Sequence, residues 1–209
     1  MTPLAAAPPA LLWRIGHWPD PLAWPPREAR LREPGRFDDP QQRYRTLYTA
    51  EQRAGCFVEA IARFRPSIAA LQGAGAVLAL PTRVPASWRA SRCVGRLQPE
   101  PGQRFLDVRS IETVETLRRE LAPLLHELGV ADLDVSGVRG PSRAVTMAVS
   151  RWANDNGYRG VAYRSRFDDA LDCWALFEGA RFERVGLAEP VLPDDPDLVA
   201  AVARFGLVV

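Results

Sequence analysis

Apolar residues recur along this chain at two spacings, and the spacing changes from segment to segment. Over residues 111–128, Val114, Leu117, Leu121, Leu124, Leu125 and Leu128 fall three or four apart on one stripe, which predicts an amphipathic helix. Ser110, followed by Glu112 and Thr113, supplies its start. Pro123 has no N–H to donate and is expected to kink or split it. Residues 142–156 predict another helix, with Ser142 as N-cap and Asn156-Gly157 as its stop. Cys56, Ala60 and Phe64 are spaced for a helix that Pro66 should end, and Glu59 stands beside their stripe. A short last helix is expected over 197–205, stopping at Gly206.

Elsewhere the pattern suits strands. Residues 46–49, 160–164 and 173–177 are short runs rich in β-formers, the last ended by Glu178-Gly179. Residues 76–108 carry the apolar runs 77–80 and 105–108, broken by Pro81, Pro85, Pro99 and Pro101, and read as short strands with turns. In residues 1–34, Trp13, Trp18 and Trp24 alternate with prolines that prevent helix, so this part reads as an extended arm packing its indoles on the domain. Residues 12–15 are a possible first strand within it. The expected organisation is one α+β domain over 35–209, a β-sheet core with flanking helices, preceded by the arm. No internal repeat or low-complexity linker is present.

Composition narrows the chemistry. The 209 residues suffice for a substantial core, since nearly half are apolar. A formal net charge of +2 gives no strong field toward nucleic acid or an acidic membrane. The sequence contains no lysine, which excludes a Schiff-base lysine and the lysine of a Walker phosphate loop. Every fixed side-chain cation is therefore arginine, a forked grip for anions. Cys56, Cys93 and Cys173 show no C-x-x-C spacing, so a disulfide framework is not expected and a reducing cytoplasm is the expected setting. His17 and His126 are the only histidines; no metal-ligand pattern appears, and a histidine-based triad is disfavoured. The apolar N-terminus lacks a charged leader region, and no apolar run approaches ~18 residues, so neither a signal peptide nor a membrane span is read. The glycines of residues 71–77 do not form G-x-G-x-x-G and read as a loop.

Four residues carry candidate chemistry, each with two readings. Arg36, in the Gly35-Arg36-Phe37 turn, either forks onto a pyrophosphate or pairs with Asp38 or Asp39. Tyr48 either stacks on an aromatic ligand and hydrogen-bonds it or packs in the core. Glu59 is costly to bury unless paired or used; it is either a site carboxylate or a boundary residue paired with Arg63 at i+4. Ser165, at the end of residues 160–165, either orients a ligand or carboxylate or is a turn serine.

Taken in order, these segments resemble the RES domain family, named for its Arg, Glu and Ser. The matching pieces are Gly35-Arg36-Phe37, Leu47-Tyr48-x-Ala50, Glu59, Tyr163-x-Ser165-Arg166 and Ala175-Leu176-Phe177. Trp13-Arg14-Ile15 is similar to the arginine-bearing start of many members, and the likeness spans most of residues 12–180. The resemblance implies a fold related to ADP-ribosyltransferases, with a sheet around an NAD cleft. It implies an enzyme that cleaves the nicotinamide–ribose bond of NAD by hydrolysis, phosphorolysis or transfer to a protein, with NAD as substrate and no metal. Glu59, Arg36 and Tyr48 would form the catalytic set. Arg14, Arg36, Tyr48, Ser165 and Arg166 would hold the ligand. Many members are toxins whose partner is an antitoxin with a helix-turn-helix region; an oligomer is possible. The long Pro/Trp arm departs from compact toxin members. Two other readings stand beside this one: a module that binds or senses NAD or ADP-ribose without cleaving it, and an interaction protein docking through the arm.

Overall fold

The computed structural model describes residues 4–28, 34–73, 82–140 and 142–209. The strands are β1 (Ala5–Ala6), β2 (Leu12–His17), β3 (Thr46–Ala50), β4 (Arg92–Pro99), β5 (Phe105–Asp107), β6 (Gly160–Arg164), β7 (Asp172–Phe177), β8 (Phe182–Arg184) and β9 (Glu189–Pro190). They form one sheet in the order β1-β5-β6-β7-β3-β2-β4-β8, with β9 also on β4. All pairs are antiparallel except β5 with β6. The helices are α1 (Arg53–Ile61), α2 (Ile68–Gly73), α3 (Ala86–Ala90), α4 (Ile111–Glu120), α5 (Ala122–Glu127), α6 (Val135–Arg139), α7 (Arg143–Asp155) and α8 (Pro196–Arg204). The α+β expectation holds, with helices flanking a sheet.

Register explains how the site is placed. Tyr163 pairs with Cys173, which pairs in turn with Ala50; Val161 pairs with Ala175, which pairs with Tyr48. These residues therefore face one side of the sheet. Their neighbours Ala162, Trp174, Leu176 and Leu47 face the other. On the first side, α4, α5 and α7 bury Val114, Leu117, Leu125, Val145 and Val149 in one cluster with Val161, Tyr163 and Cys173. Also packed together are Phe57, Val58 and Ile61 of α1 with Leu198, Ala201 and Val202 of α8. Fully burying each such large side chain contributes about 1.5–3 kcal/mol. Arg53 and Asp195 fasten the second group with bonds of 3.0 and 2.6 Å, and the same Asp195 caps α8 by accepting from Asp197 N and Leu198 N.

The helix predicted over 111–128 is split into α4 and α5 at Leu121, with Pro123 in the first turn of α5. Ser110 Oγ accepts from Thr113 N at 3.3 Å, as its N-cap role requires. The helix at 142–156 spans Arg143–Asp155; Ser142 occupies the N-cap position, but its side chain makes no capping bond. The proline-broken 76–108 region, expected as short strands with turns, holds β5 at the expected 105–108 run and a strand of eight residues, β4, at a place the apolar runs did not mark, together with a helix, α3, that was not expected. Gly95 stands between Cys93 and Leu97 and interrupts their apolar alternation, which hid the strand. The run 77–80 lies outside the described residues.

Residues read as an arm take two courses. β2 lies inside the sheet between β3 and β4, with Leu12 opposite Leu97 and His17 opposite Arg92. The following residues turn back over the second face, where Leu22 is buried and Trp24 packs at 6.2 Å on Phe182. Trp18 remains 54% exposed. The crossing is close: a Cβ on Gly16 would lie 2.2 Å from Pro21 O, and one on Gly95 2.5 Å from Pro21 Cγ. Only glycine admits backbone this near.

Candidate active site

Three stretches converge on the first face of the sheet: the turn at Gly35–Asp39, the middle of α1, and the loop leaving β6. Glu59, on α1, is part-buried. Its Oε1 accepts a 2.5 Å hydrogen bond from Ser165 Oγ. Ser165 is fully buried, and its Oγ also accepts from Phe167 N at 3.1 Å. Its backbone is fixed by Ser165 N donating to Leu171 O and by Arg139 Nη2 donating to Ser165 O. Burial pushes the Glu59 carboxyl above the usual glutamate range; the Ser165 hydroxyl and the charges of Arg36 and Arg166 pull it back.

Arg36 sits in the turn with its guanidinium 5.6 Å from the centre of the Phe37 ring and 5.8 Å from that of Tyr163. Nη2 donates to Val138 O at the end of α6. Nε and Nη1 are buried and have no hydrogen-bond partner among the described residues. Burial lowers the pKa of this guanidinium, while Tyr163 and Glu59 work to raise it. Donors buried in this way are costly unless a ligand or water answers them. Asp38 and Asp39 bond elsewhere: Asp38 with Tyr48 and Gly35, Asp39 with Arg43, Gln41 and Arg151.

Tyr48 directs its hydroxyl at Asp38 Oδ1, 2.9 Å away, and receives Phe37 N at 2.9 Å. Arg14 lies behind it, donating from Nε to Pro21 O at 2.8 Å and from Nη1 to Tyr48 O at 2.9 Å. Arg166 is exposed, its guanidinium 4.6 Å from the Phe167 ring centre, and its charge acts on both Glu59 and Arg36. Arg36, Tyr48, Glu59, Ser165 and Arg166 thus share one neighbourhood, with Arg14 one layer beneath.

Two neighbours of the site, though present in the quoted segments, were given no site role from sequence. Tyr163 lies under Arg36 and packs on Phe37 at 4.7 Å. Its signal was present, since it stands on the expected strand two positions before Ser165. Asp38 carried no signal beyond being a possible partner of Arg36. Among the described residues no group of three His, Cys, Asp or Glu side chains could hold a metal ion. No helix among them is long and apolar enough to cross a membrane. A surface hollow of about 360 Å³ lies elsewhere, beside Pro21, Leu22 and Gly95. Its arginines are paired, Arg184 with Asp20 and Arg96 with Glu189, although Arg96 Nε, like Nε and Nη1 of Arg36, is buried without a hydrogen-bond partner among the described residues.

An α+β domain that gathers an arginine, a glutamate and a serine on one sheet face does not by itself define a single chemistry. The model of the RES domain matches residues 11–199, and the chain belongs to the RES domain family. A search of curated proteins finds no match. Among solved structures the chain is similar to one from the crystal structure of the M. tuberculosis MbcT–MbcA toxin–antitoxin complex, with a TM-score of 0.57 and 14% identity over 91% of this chain and 86% of that one. At that identity the likeness is one of fold.

Proposed function

We propose that the protein cleaves the nicotinamide–ribose bond of NAD. The observation that carries this reading is a carboxylate, Glu59, oriented by a buried serine and set beside an arginine with two unanswered N–H groups. Arg36 Nε and Nη1 supply the fork for the pyrophosphate, since two N–H donors on one guanidinium suit a phosphoryl group. Arg166, exposed at the mouth, adds a second cation for it, and Arg14 supports the strand behind. The Tyr48 ring packs at the nicotinamide end.

Breaking the N-glycosidic bond builds positive charge on the ribose, in a transition state like that of glycoside cleavage. A fixed carboxylate stabilises that charge more than it stabilises the neutral sugar, which is what lowers the barrier. Nicotinamide leaves uncharged, so no strong general acid is required. Ser165 keeps Glu59 aimed and, by donating to it, favours the charged form. Water, phosphate or a protein side chain then attacks the ribose, giving hydrolysis, phosphorolysis or ADP-ribosyl transfer.

Family membership and the fold shared with a toxin from a toxin–antitoxin complex support a toxin role in the cytoplasm, held in check by an antitoxin with a helix-turn-helix region. One observation favours the alternative of a non-catalytic NAD or ADP-ribose module: burial raises the Glu59 pKa, and a neutral Glu59 could bind ribose without stabilising a cation. Controlled expression in a bacterium with intracellular NAD monitored separates the two. The catalytic reading predicts growth arrest with falling NAD, lost in Glu59→Gln. Arrest without a fall in NAD, or an identical fall with the Gln variant, contradicts it.

A further inference from the structure

Arg36 lies between two residues whose backbone N–H groups belong to one hydrogen-bonded chain. Phe37 N donates to Tyr48 Oη at 2.9 Å, Tyr48 Oη donates to Asp38 Oδ1 at 2.9 Å, and Asp38 Oδ2 accepts from Gly35 N at 2.6 Å. The backbone on both sides of Arg36 is therefore fixed to the same carboxylate. Asp38 is only 4% exposed, and a buried carboxylate is tolerated when donors answer both of its oxygens. The Tyr48 ring lies so close to Gly35 that a Cβ there would come within 2.3 Å of its hydroxyl oxygen. A second set of bonds seats the same turn: Phe37 O accepts from Ser150 Oγ at 2.6 Å and from Thr46 Oγ1 at 3.3 Å.

We infer that Asp38 is a positioning residue, acting through the Tyr48 hydroxyl and the Gly35 amide to aim the Arg36 guanidinium into the cleft. This rests on the reading of Arg36 as a ligand grip and deepens it. In this role Asp38 acts through the turn that its two oxygens hold and not by touching the ligand. The Tyr48 hydroxyl is held by Phe37 N and Asp38, so its ring is the part assigned to the ligand. An aspartate is needed because both of its oxygens accept. Asparagine in its place offers one acceptor, so either the Gly35 N–H faces an NH2 group or the Tyr48 hydroxyl loses the acceptor for its proton.

The test uses the full chain with Asp38→Asn, Tyr48→Phe and Arg36→Ala, alone and with each of the first two added to the third. NAD affinity is measured by calorimetry. The Arg36 Nε–Hε signal, assigned by its loss in Arg36→Ala, is followed by NMR without ligand. Asp38→Asn is expected to weaken NAD binding about tenfold, as loss of one charge-assisted hydrogen bond would, yet to change it less than about twofold once Arg36 is already alanine. The Arg36 signal should shift in Asp38→Asn and in Tyr48→Phe. Equal losses with and without Arg36, or an unmoved Arg36 signal, would overturn the inference. Should Asp38→Asn fail to fold, Tyr48→Phe keeps the ring packing and carries both measurements. Wild-type protein that binds no NAD sinks the proposed function instead, and the Arg36 signal then decides the positioning role alone.

Discussion

Ser165 and Glu59, 106 positions apart in the chain, are joined by a 2.5 Å hydrogen bond from the serine hydroxyl to the carboxylate. That bond ties the loop after β6 to the middle of α1. It opposes the effect of burial on Glu59, because a donor on the charged form favours that form. Ser165→Ala should therefore raise the Glu59 pKa further. The pH–rate profile for NAD consumption should rise toward alkaline pH in both proteins, with the rising limb displaced to higher pH in the variant. Superimposed limbs would show that Ser165 does not tune Glu59.

The raised pKa of Glu59 also has a cost in stability. Its folded-state pKa lies above the ordinary glutamate value. Between the two values the folded protein holds more protons than the unfolded chain, so stability falls as pH rises through that window and then levels off. Glu59→Gln removes this slope. The variant should melt at a higher temperature than wild type at neutral pH, and the gap should close below the ordinary carboxylate range. A site residue that stabilises the protein when neutralised fits the trade between stability and activity.

Arg36→Ala removes the two buried guanidinium nitrogens, Nε and Nη1, that have no hydrogen-bond partner among the described residues. Hydrogen bonds between charged partners contribute about 1.5–3 kcal/mol each, so NAD affinity should fall roughly ten- to a hundredfold if one bond is lost and by more than about a hundredfold if both are. Calorimetry of the folded variant checks this; unchanged affinity would mean that the pyrophosphate is held elsewhere.

Asp195 both caps α8 and pairs with Arg53 of α1, and α1 carries Glu59. Asp195→Ala should lower stability by about 2 kcal/mol, combining a lost cap of ~1 kcal/mol with the lost bonds to Arg53. Urea unfolding should show a lower midpoint with an unchanged slope. No change in midpoint would show that neither the cap nor the pair holds α8 on α1.

Local signals carried much of the fold. The leucine stripe of residues 111–128 and the missing N–H of Pro123 suffice to predict a split helix, because both act within a few residues. The β4 strand was hidden because Gly95 stands in its middle for a distant reason, the passage of Pro21 across it. Tyr48 stood out as a residue type on a strand, but its bond to Asp38 depends on where a turn ten positions away comes to rest. The same holds for Arg36: its place in the Gly35–Phe37 turn is written locally, whereas its bond to Val138 O crosses 102 positions. Side chains that meet through sheet register leave little trace in local pattern unless, like Tyr163 and Ser165, they also stand close together in the sequence.

The central claim is that the negative charge of Glu59 lowers the barrier to losing nicotinamide. The most direct measurement is nicotinamide release from NAD by purified wild type and Glu59→Gln, followed by proton NMR with phosphate and candidate protein acceptors supplied. Gln keeps the size and an acceptor for Ser165 while removing the charge. The account predicts that wild type releases nicotinamide and that the variant is slower by roughly 10²–10³-fold while still binding NAD. Equal rates for the two proteins would contradict it.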